Sequence, residues 1–382
     1  MTASRTGRGI VLAALLWLFC AVPVAAAEPA SPSLDLTALE EAAAVLDEAT
    51  GNAFSFRDMA AAMIGGDFRI DPGAVCAAVV SSVLADARNF SALFAQLLLL
   101  GVAAAVFHVF ADSFPDGGGA KVGEYVVFLA FLLPAVKCFR VALDLGTEKI
   151  GQAVDFLCAV FPYLFGSFAL LGGGAAAAVV RPTVLAVTSL FLTLLDRFFL
   201  PLLLLAAALA VCSQLAPGYS FRKLFDLLKT VILTSLTLML TVFTGLLGLE
   251  GFAAGTVDGL SAKTVKAAAG DFIPVVGGYL ADAFDAIVGA GILLRSVIGL
   301  FGVAALAVFL AVPALKIGVM AFLFKAAAAL LEPFGGKSYV AALSDLASVL
   351  LLVFAVVAAA GLLFFFLIFA VVGVSSMTMM FR

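Results

Sequence analysis

Apolar runs long enough to cross a bilayer follow one another along most of the chain, parted by short stretches rich in glycine or charge. Runs near 91–111, 123–143, 153–175 and 230–249 each suffice to span a hydrocarbon core about 30 Å thick at about 1.5 Å per helical residue. The run over 183–213 is interrupted by Asp196 and Arg197 and then by Pro201, which predicts either one kinked crossing or two short ones forming a hairpin. The run over 298–331 exceeds one ordinary crossing and is broken at Pro313, with Lys316 beside it. A last helix over about 342–374 begins amphipathic, with Ser344, Asp345 and Ser348, and becomes wholly apolar. The pattern predicts an all-α, polytopic helical membrane protein with about seven to nine spans in a membrane domain over 91–382. It shows no clear internal repeat of the kind common in transporters.

The start of the chain reads differently. Arg5 and Arg8 precede an apolar run from Ile10 to Val22, and Ala25 and Ala27 occupy the small positions of an A-x-A site before Glu28. That order predicts a cleaved signal peptide over 1–27, since the apolar core is short for a bilayer and Pro23 interrupts it. Residues 28–90 are polar enough for water, with Leu36, Leu39, Ala43 and Leu46 on one face of an acidic helix. Asp71 and Pro72 then suit the N-cap and first position of a second helix, which carries Val75, Val79, Val80 and Val83 straight toward the first span. The region is too small for a conventional core and is expected to form a small extracytoplasmic helical collar.

Composition narrows the function classes. With 64% hydrophobic and 12% charged residues, a net charge of −4 and no basic block, nucleic-acid binding is not expected. Cysteines 20, 76, 138, 158 and 212 form no C-x-x-C pair and mostly lie in apolar runs, so no disulfide framework is expected; Cys76 falls outside the membrane. His108 and Asp112 share a helical face and suit either a proton relay or, preferably, a polar pair marking the cytoplasmic end of the first span. One histidine and scattered cysteines form no zinc or haem set, so no metal or cofactor is expected. Gly335, Gly336, Lys337 and Ser338 resemble the end of a phosphate loop, but Leu331 stands where its first glycine belongs. Ser220–Lys223 fits S-x-x-K without its supporting motifs, and no catalytic residues are expected. Charges within apolar runs are more informative: Lys137, Arg140, Asp196, Arg197, Lys316, Lys325 and Glu332. Snorkelling accounts for Lys137, Arg140 and Glu332, whereas Lys316 and Lys325 have apolar sequence on both sides and are candidates for a polar path or for helix packing.

The stretch from Glu250 to Arg295 departs most from a plain span. Gly251, Gly255 and Gly259 recur every fourth residue and leave one helix face open to close backbone packing. Lys263 and Lys266 share a face of a short turn, and Asp282 and Asp285 repeat that spacing after the break at Pro274, Gly277 and Gly278. Leu280, Ala283, Phe284, Ile287 and Val288 form an apolar stripe opposite the two carboxylates. The expectation is helix, broken turn, helix: an interfacial or re-entrant segment over 251–292 that packs on neighbouring spans or on a partner.

The string from Asp258 to Asp285, DGLSAKTVKAAAGDFIPVVGGYLADAFD, resembles the central signature of the stage III sporulation protein AE family. The likeness continues through Arg295, Gly299, the P-A-L-K step at Pro313–Lys316, and Lys325 with the A-A-L-L-E-P at 328–333. It covers the C-terminal half in detail and the first half by layout, while the tail SSMTMMFR and residues 175–178 match no family motif. The resemblance implies a multi-pass component of the mother-cell membrane, part of a transenvelope channel between mother cell and engulfed forespore needed for forespore development and late forespore gene expression. Implied partners are membrane proteins of the same operon, with a secretion-type ATPase and ring-forming proteins, and a forespore-side channel partner. A secondary transporter or permease, and a scaffold without a conduit, are the alternatives. If the exported N-terminus lies outside, the hairpin form of 183–213 puts Arg222, Lys223 and Lys229 in the cytoplasm, as the positive-inside rule prefers, and 250–295 on the other side.

Overall fold

The computed structural model describes residues 72–112, 118–170, 174–215, 221–270, 277–334 and 337–380, with the backbone alone over 247–298. Helix α1 spans Pro72–Asp112 and α2 spans Gly118–Leu170. Helix α3, Gly174–Leu194, continues through one π-helical turn, Leu195–Phe199, into α4, Leu200–Leu215. Helix α5 is Arg222–Gly270, α6 is Gly277–Leu331 with a closing 3-10 turn at Glu332–Phe334, and α7 is Lys337–Met380. The start of α1 at Pro72 is where a fixed φ and a missing N–H cost nothing. The chain then runs into the first apolar window without a break at residue 90. The expected signal peptide, the acidic helix bearing Leu36, Leu39, Ala43 and Leu46, Pro274 and the Gly335–Gly336 pair lie outside the described residues.

Side-chain contacts fix how the helices align. A side chain at Gly101 in α1 would run into Leu331 of α6, and Phe128 and Phe131 of α2 pack their rings on Tyr339 of α7 at 5.3 and 5.2 Å. Gln214 of α4 donates to Asp345 of α7 at 3.3 Å, and Arg222 and Asp226 of α5 lie within electrostatic reach of the same carboxylate. These contacts gather the end of α1, the start of α2, the end of α4, the start of α5, the end of α6 and the start of α7 at one end of the bundle, here the near end. The helices therefore alternate in direction, with α3 and α4 acting as one rod.

Six helical segments among the described residues are long and apolar enough to cross a membrane, and the protein is an all-α polytopic membrane protein. They cover Phe90–Phe107, Tyr125–Gly166, Arg181–Gln214, Arg222–Leu246, Leu306–Phe334 and Ser338–Val371. The count falls below the seven to nine expected because two of the runs join into one helix, and it falls by one more relative to the hairpin form of 183–213. Runs 123–143 and 153–175 belong to a single helix, α2, whose polar middle is helical and not a linker. Run 183–213 takes the kinked form: its charged interruption is a widened helical turn and not a reversal. Pro201 explains the widening, because its ring would collide with the carbonyl of Arg197 in a regular α-turn and it offers that carbonyl no N–H. Pro313 likewise does not break α6; it is buried within a continuous helix held by neighbouring helices. The two joins each remove one crossing, so their effects on parity cancel, and α5 still starts on the side to which the hairpin form would have delivered it.

Helix α7 is the hub. Its most extensive packing is against α6, followed by α5, α2 and α4, while α1 lies across α6 and α2. No charged residue occurs on α7 between Asp345 and Arg382, and Leu350, Phe364, Leu367 and Ile368 are wholly enclosed. Lipid tails are as apolar as leucine, so helix association here rests on close packing. Small residues supply it: a Cβ on Gly146 would meet Val357 at 2.9 Å, and one on Gly361 would meet Leu310 at 3.4 Å. Phe191 of α3 meets Phe364 edge-on at 5.5 Å.

Candidate functional site

The same contacts place a group of polar side chains halfway along the apolar length of α7. Gly146 of α2 lies against Val353 and Val357, and Lys149 Nζ sits 5.3 Å from the centre of the Phe309 ring, next to Leu310, which in turn touches Gly361. Residues 144–149 of α2 are thus level with 353–361 of α7. On α3, Phe191 marks the level of Phe364, and Asp196 follows it by about 7.5 Å toward the near end, which brings the π turn level with about residue 359. The apolar span of α7 beyond Asp345, 346–371, is about 39 Å long, so a hydrocarbon core of about 30 Å placed anywhere on that span covers residues 355–361.

On α2 this level carries a row of charges of both signs. Arg140 and Asp144 form an i,i+4 pair at 4.0 Å with side chains 83% and 73% exposed. Gln152 links Lys149 and Glu148: it accepts from Lys149 Nζ at 2.8 Å and donates to Glu148 Oε1 at 3.1 Å. Thr147 donates to the carbonyls of Leu143 and Asp144. Lys137, Glu148 and Asp155 are exposed. On the neighbouring rod, Ser189 and Thr193 bond back to their own helix, and Asp196 and Arg197 are both exposed on the π turn. Opposite-facing residues of the turn, Leu195 and Phe199, are buried, so the widened turn aims its two charges outward while its apolar members hold the bundle. On α5, Thr230, Thr237, Thr241 and Thr244 are exposed and satisfy their hydroxyls on carbonyls of the preceding turn, at 2.7–2.8 Å. Helices α2, α3 and α5 are successive neighbours, α2 against α3 and α3 against α5, and together they make the flank that carries these polar groups, set among exposed Val136 and Val141 of α2 and Leu233 and Val242 of α5.

The residues singled out in sequence fall in three groups. Lys137, Arg140, Asp196 and Arg197 belong to this flank. Lys316 is half-buried on α6, one residue before Ile317, which faces Gly146; Lys325 is exposed nearer the near end, as is Glu332. Gly251, Gly255, Gly259, Asp258, Lys263 and Lys266 lie on the helical backbone of the far part of α5, and Gly277, Gly278, Asp282, Asp285 and Arg295 on that of α6. Both helices are continuous with spans, and Gly277 and Gly278, expected within the break, are the first two residues of α6. Helix α5 runs 247–270 beyond its apolar window, about 36 Å of further helix. The side-chain surroundings of these residues and Pro274 lie outside the described residues. Sequence reading missed Asp144, Glu148 and Lys149 because it took the polar middle of α2 for a linker between spans, and it passed over Asp155 within the run 153–175. The opposite charges of Arg140 and Asp144, four residues apart, were the available sign of helix.

Among the described residues, no group of histidine, cysteine, aspartate and glutamate is arranged to hold a metal ion. Three cysteines are free thiols: Cys138 buried, Cys158 and Cys212 exposed.

A charged row in a membrane bundle identifies no protein by itself, but comparison with known sequences does. The profile of the family described as stage III sporulation protein AE (spore_III_AE) matches residues 54–375. The chain belongs to that family. A curated relative, stage III sporulation protein AE of Bacillus subtilis (strain 168), is 30% identical over 319 residues, covering 84% of this chain and 80% of its own. No solved structure matches the chain. The family match spans all six apolar segments, so the bundle and its polar flank lie within the region shared with stage III sporulation protein AE.

Proposed function

We propose that this sporulation protein is a membrane component of the transenvelope channel complex joining mother cell and forespore, required for forespore development and late forespore gene expression. The observation that carries the reading is the polar flank: a lone bundle would leave charged side chains to lipid at the level of α7 residues 355–361, and an assembly relieves that cost. Its place is the mother-cell membrane around the forespore. Its partners are other membrane proteins of the same operon, including a secretion-type ATPase and ring-forming proteins, and a forespore-side channel partner. The near end faces the cytoplasm in this reading, which puts Arg222, Lys223 and Lys229 where the positive-inside rule prefers basic residues. The far parts of α5 and α6, with Asp258, Lys263, Lys266, Asp282 and Asp285, then reach into the space between the two membranes and meet partners there. We assign no catalytic role.

Affinity purification of the tagged protein from membranes of sporulating cells tests this. The operon partners are expected to co-purify, and a double Asp282→Lys, Asp285→Lys variant is expected to insert normally yet lose them and form few spores. Recovery of the protein alone, with a double variant that sporulates as the parent does, overturns the reading. The rival, a secondary transporter, draws on the interrupted rod at mid-membrane. It is favoured instead if the purified protein alone moves a solute across vesicles.

A further inference from the structure

We infer that α2 and the π turn between α3 and α4 face an aqueous path at mid-membrane, with Asp144, Glu148, Asp155 and Asp196 in contact with water. The closure of that path by further subunits rests on the channel reading; the contact with water rests on the bundle itself. Ionisable groups at mid-membrane are costly against lipid, and among the described residues all but Lys316 of α6 lie on one flank. At the same level the other flank is apolar: Leu351 and Leu362 of α7 and Leu315 of α6 are exposed, as are Phe322 and Phe369 beyond. Among the described residues at this level, the half-buried Lys316 is the basic residue on that side.

Water suits the polar flank better than a tightly docked protein. The charges on α2 partner one another along their own helix, Arg140 with Asp144 and Lys149 through Gln152 with Glu148, as on a solvated helix surface. Lys137, Arg140 and Lys149 balance Asp144, Glu148 and Asp155, so the row offers a partner no net charge to complement. The same balance gives the path no strong preference between cations and anions.

Thiol accessibility in native membranes of sporulating cells tests the inference, with a cationic, membrane-impermeant thiol reagent applied to both faces. In the unaltered chain, Cys158 is exposed on α2 three residues after Asp155, and Cys138 is buried; mass spectrometry should find the first modified and the second protected. In a chain whose native cysteines are replaced by serine, Glu148→Cys and Asp196→Cys should react about tenfold or more faster than Leu362→Cys, which sits level with them on the apolar flank. The inference is overturned if Glu148→Cys and Asp196→Cys react as slowly as Leu362→Cys while all three react after denaturation, or if Cys158 is as protected as Cys138. A variant that fails to accumulate leaves the Cys158 readout standing. Slow labelling with intact co-purification of the operon partners would sink the aqueous flank and spare the channel reading. Rapid labelling without co-purification would do the reverse.

Discussion

The two flanks of this bundle lie at one depth yet are built on opposite principles. Between α6 and α7 the contacts are apolar, with Gly361 against Leu310 and Gly318 against Phe354. On α2, one helix diameter away, the same depth holds Arg140, Asp144, Glu148 and Lys149. Depth in the membrane therefore does not dictate polarity; what each helix face meets does. Gly146 shows both rules within a single turn: its bare face meets Val357, while Asp144 and Glu148 on either side of it point away from the core. A structure built this way should lose stability when the apolar side is altered and lose function when the polar side is.

The largest stability effect is expected at Phe364→Ala. Its ring is wholly buried and edge-on to Phe191, and emptying that site should cost about 3 kcal/mol. The check is the melting of detergent-solubilised protein together with membrane abundance; a variant as stable as the parent would mean that the α3–α7 contact is not formed. Next comes Gly146→Leu, which must push α2 from Val357 and is expected to cost about 2 kcal/mol. Gly151→Leu, where nothing lies within 4 Å of an added Cβ, is its control and should melt as the parent does.

Pro201→Ala sharpens the comparison at smaller cost. Restoring an N–H to the Arg197 carbonyl allows the turn to tighten and changes the direction of Asp196 and Arg197, while Phe191, Phe199 and Leu203 keep both halves of the rod seated in the core. Abundance should hold while spore yield falls; unchanged spore yield would mean that the direction of Asp196 and Arg197 does not matter. The smallest stability effect belongs to the double variant Arg140→Gln, Asp144→Asn. An exposed pair at 4.0 Å contributes little, so a change of about 0.5 kcal/mol or less is expected. A loss as large as that of Phe364→Ala would place the pair in the core and not on a polar flank.

Much of this was legible in the run of residues. Apolar length identified the spans, Pro72 marked the start of α1, and the ordered signature between Asp258 and Pro333 pointed to the stage III sporulation protein AE family that the wider comparison then showed. The polar flank was half legible. Lys137, Arg140, Asp196 and Arg197 stood out, but they read as snorkelling groups or as a hairpin, because charge within an apolar run has the same local appearance in a loop, at an interface or in mid-membrane.

By itself the sequence determined that the chain is helical and membrane-spanning, since lipid leaves a backbone no partner but its own helix, and that demand acts residue by residue. It did not determine which helices continue. Whether the middle of α2 is a loop or a helix, whether Pro201 reverses the chain or widens one turn, and whether Pro313 breaks α6 depend on neighbours that hold the backbone in place. Only the tertiary structure decided these, because Gly146 against Val357 and Phe191 against Phe364 are contacts between residues far apart in the chain. The depth of the charges followed from the same contacts: it is a position relative to α7, and no stretch of α2 or α3 contains it.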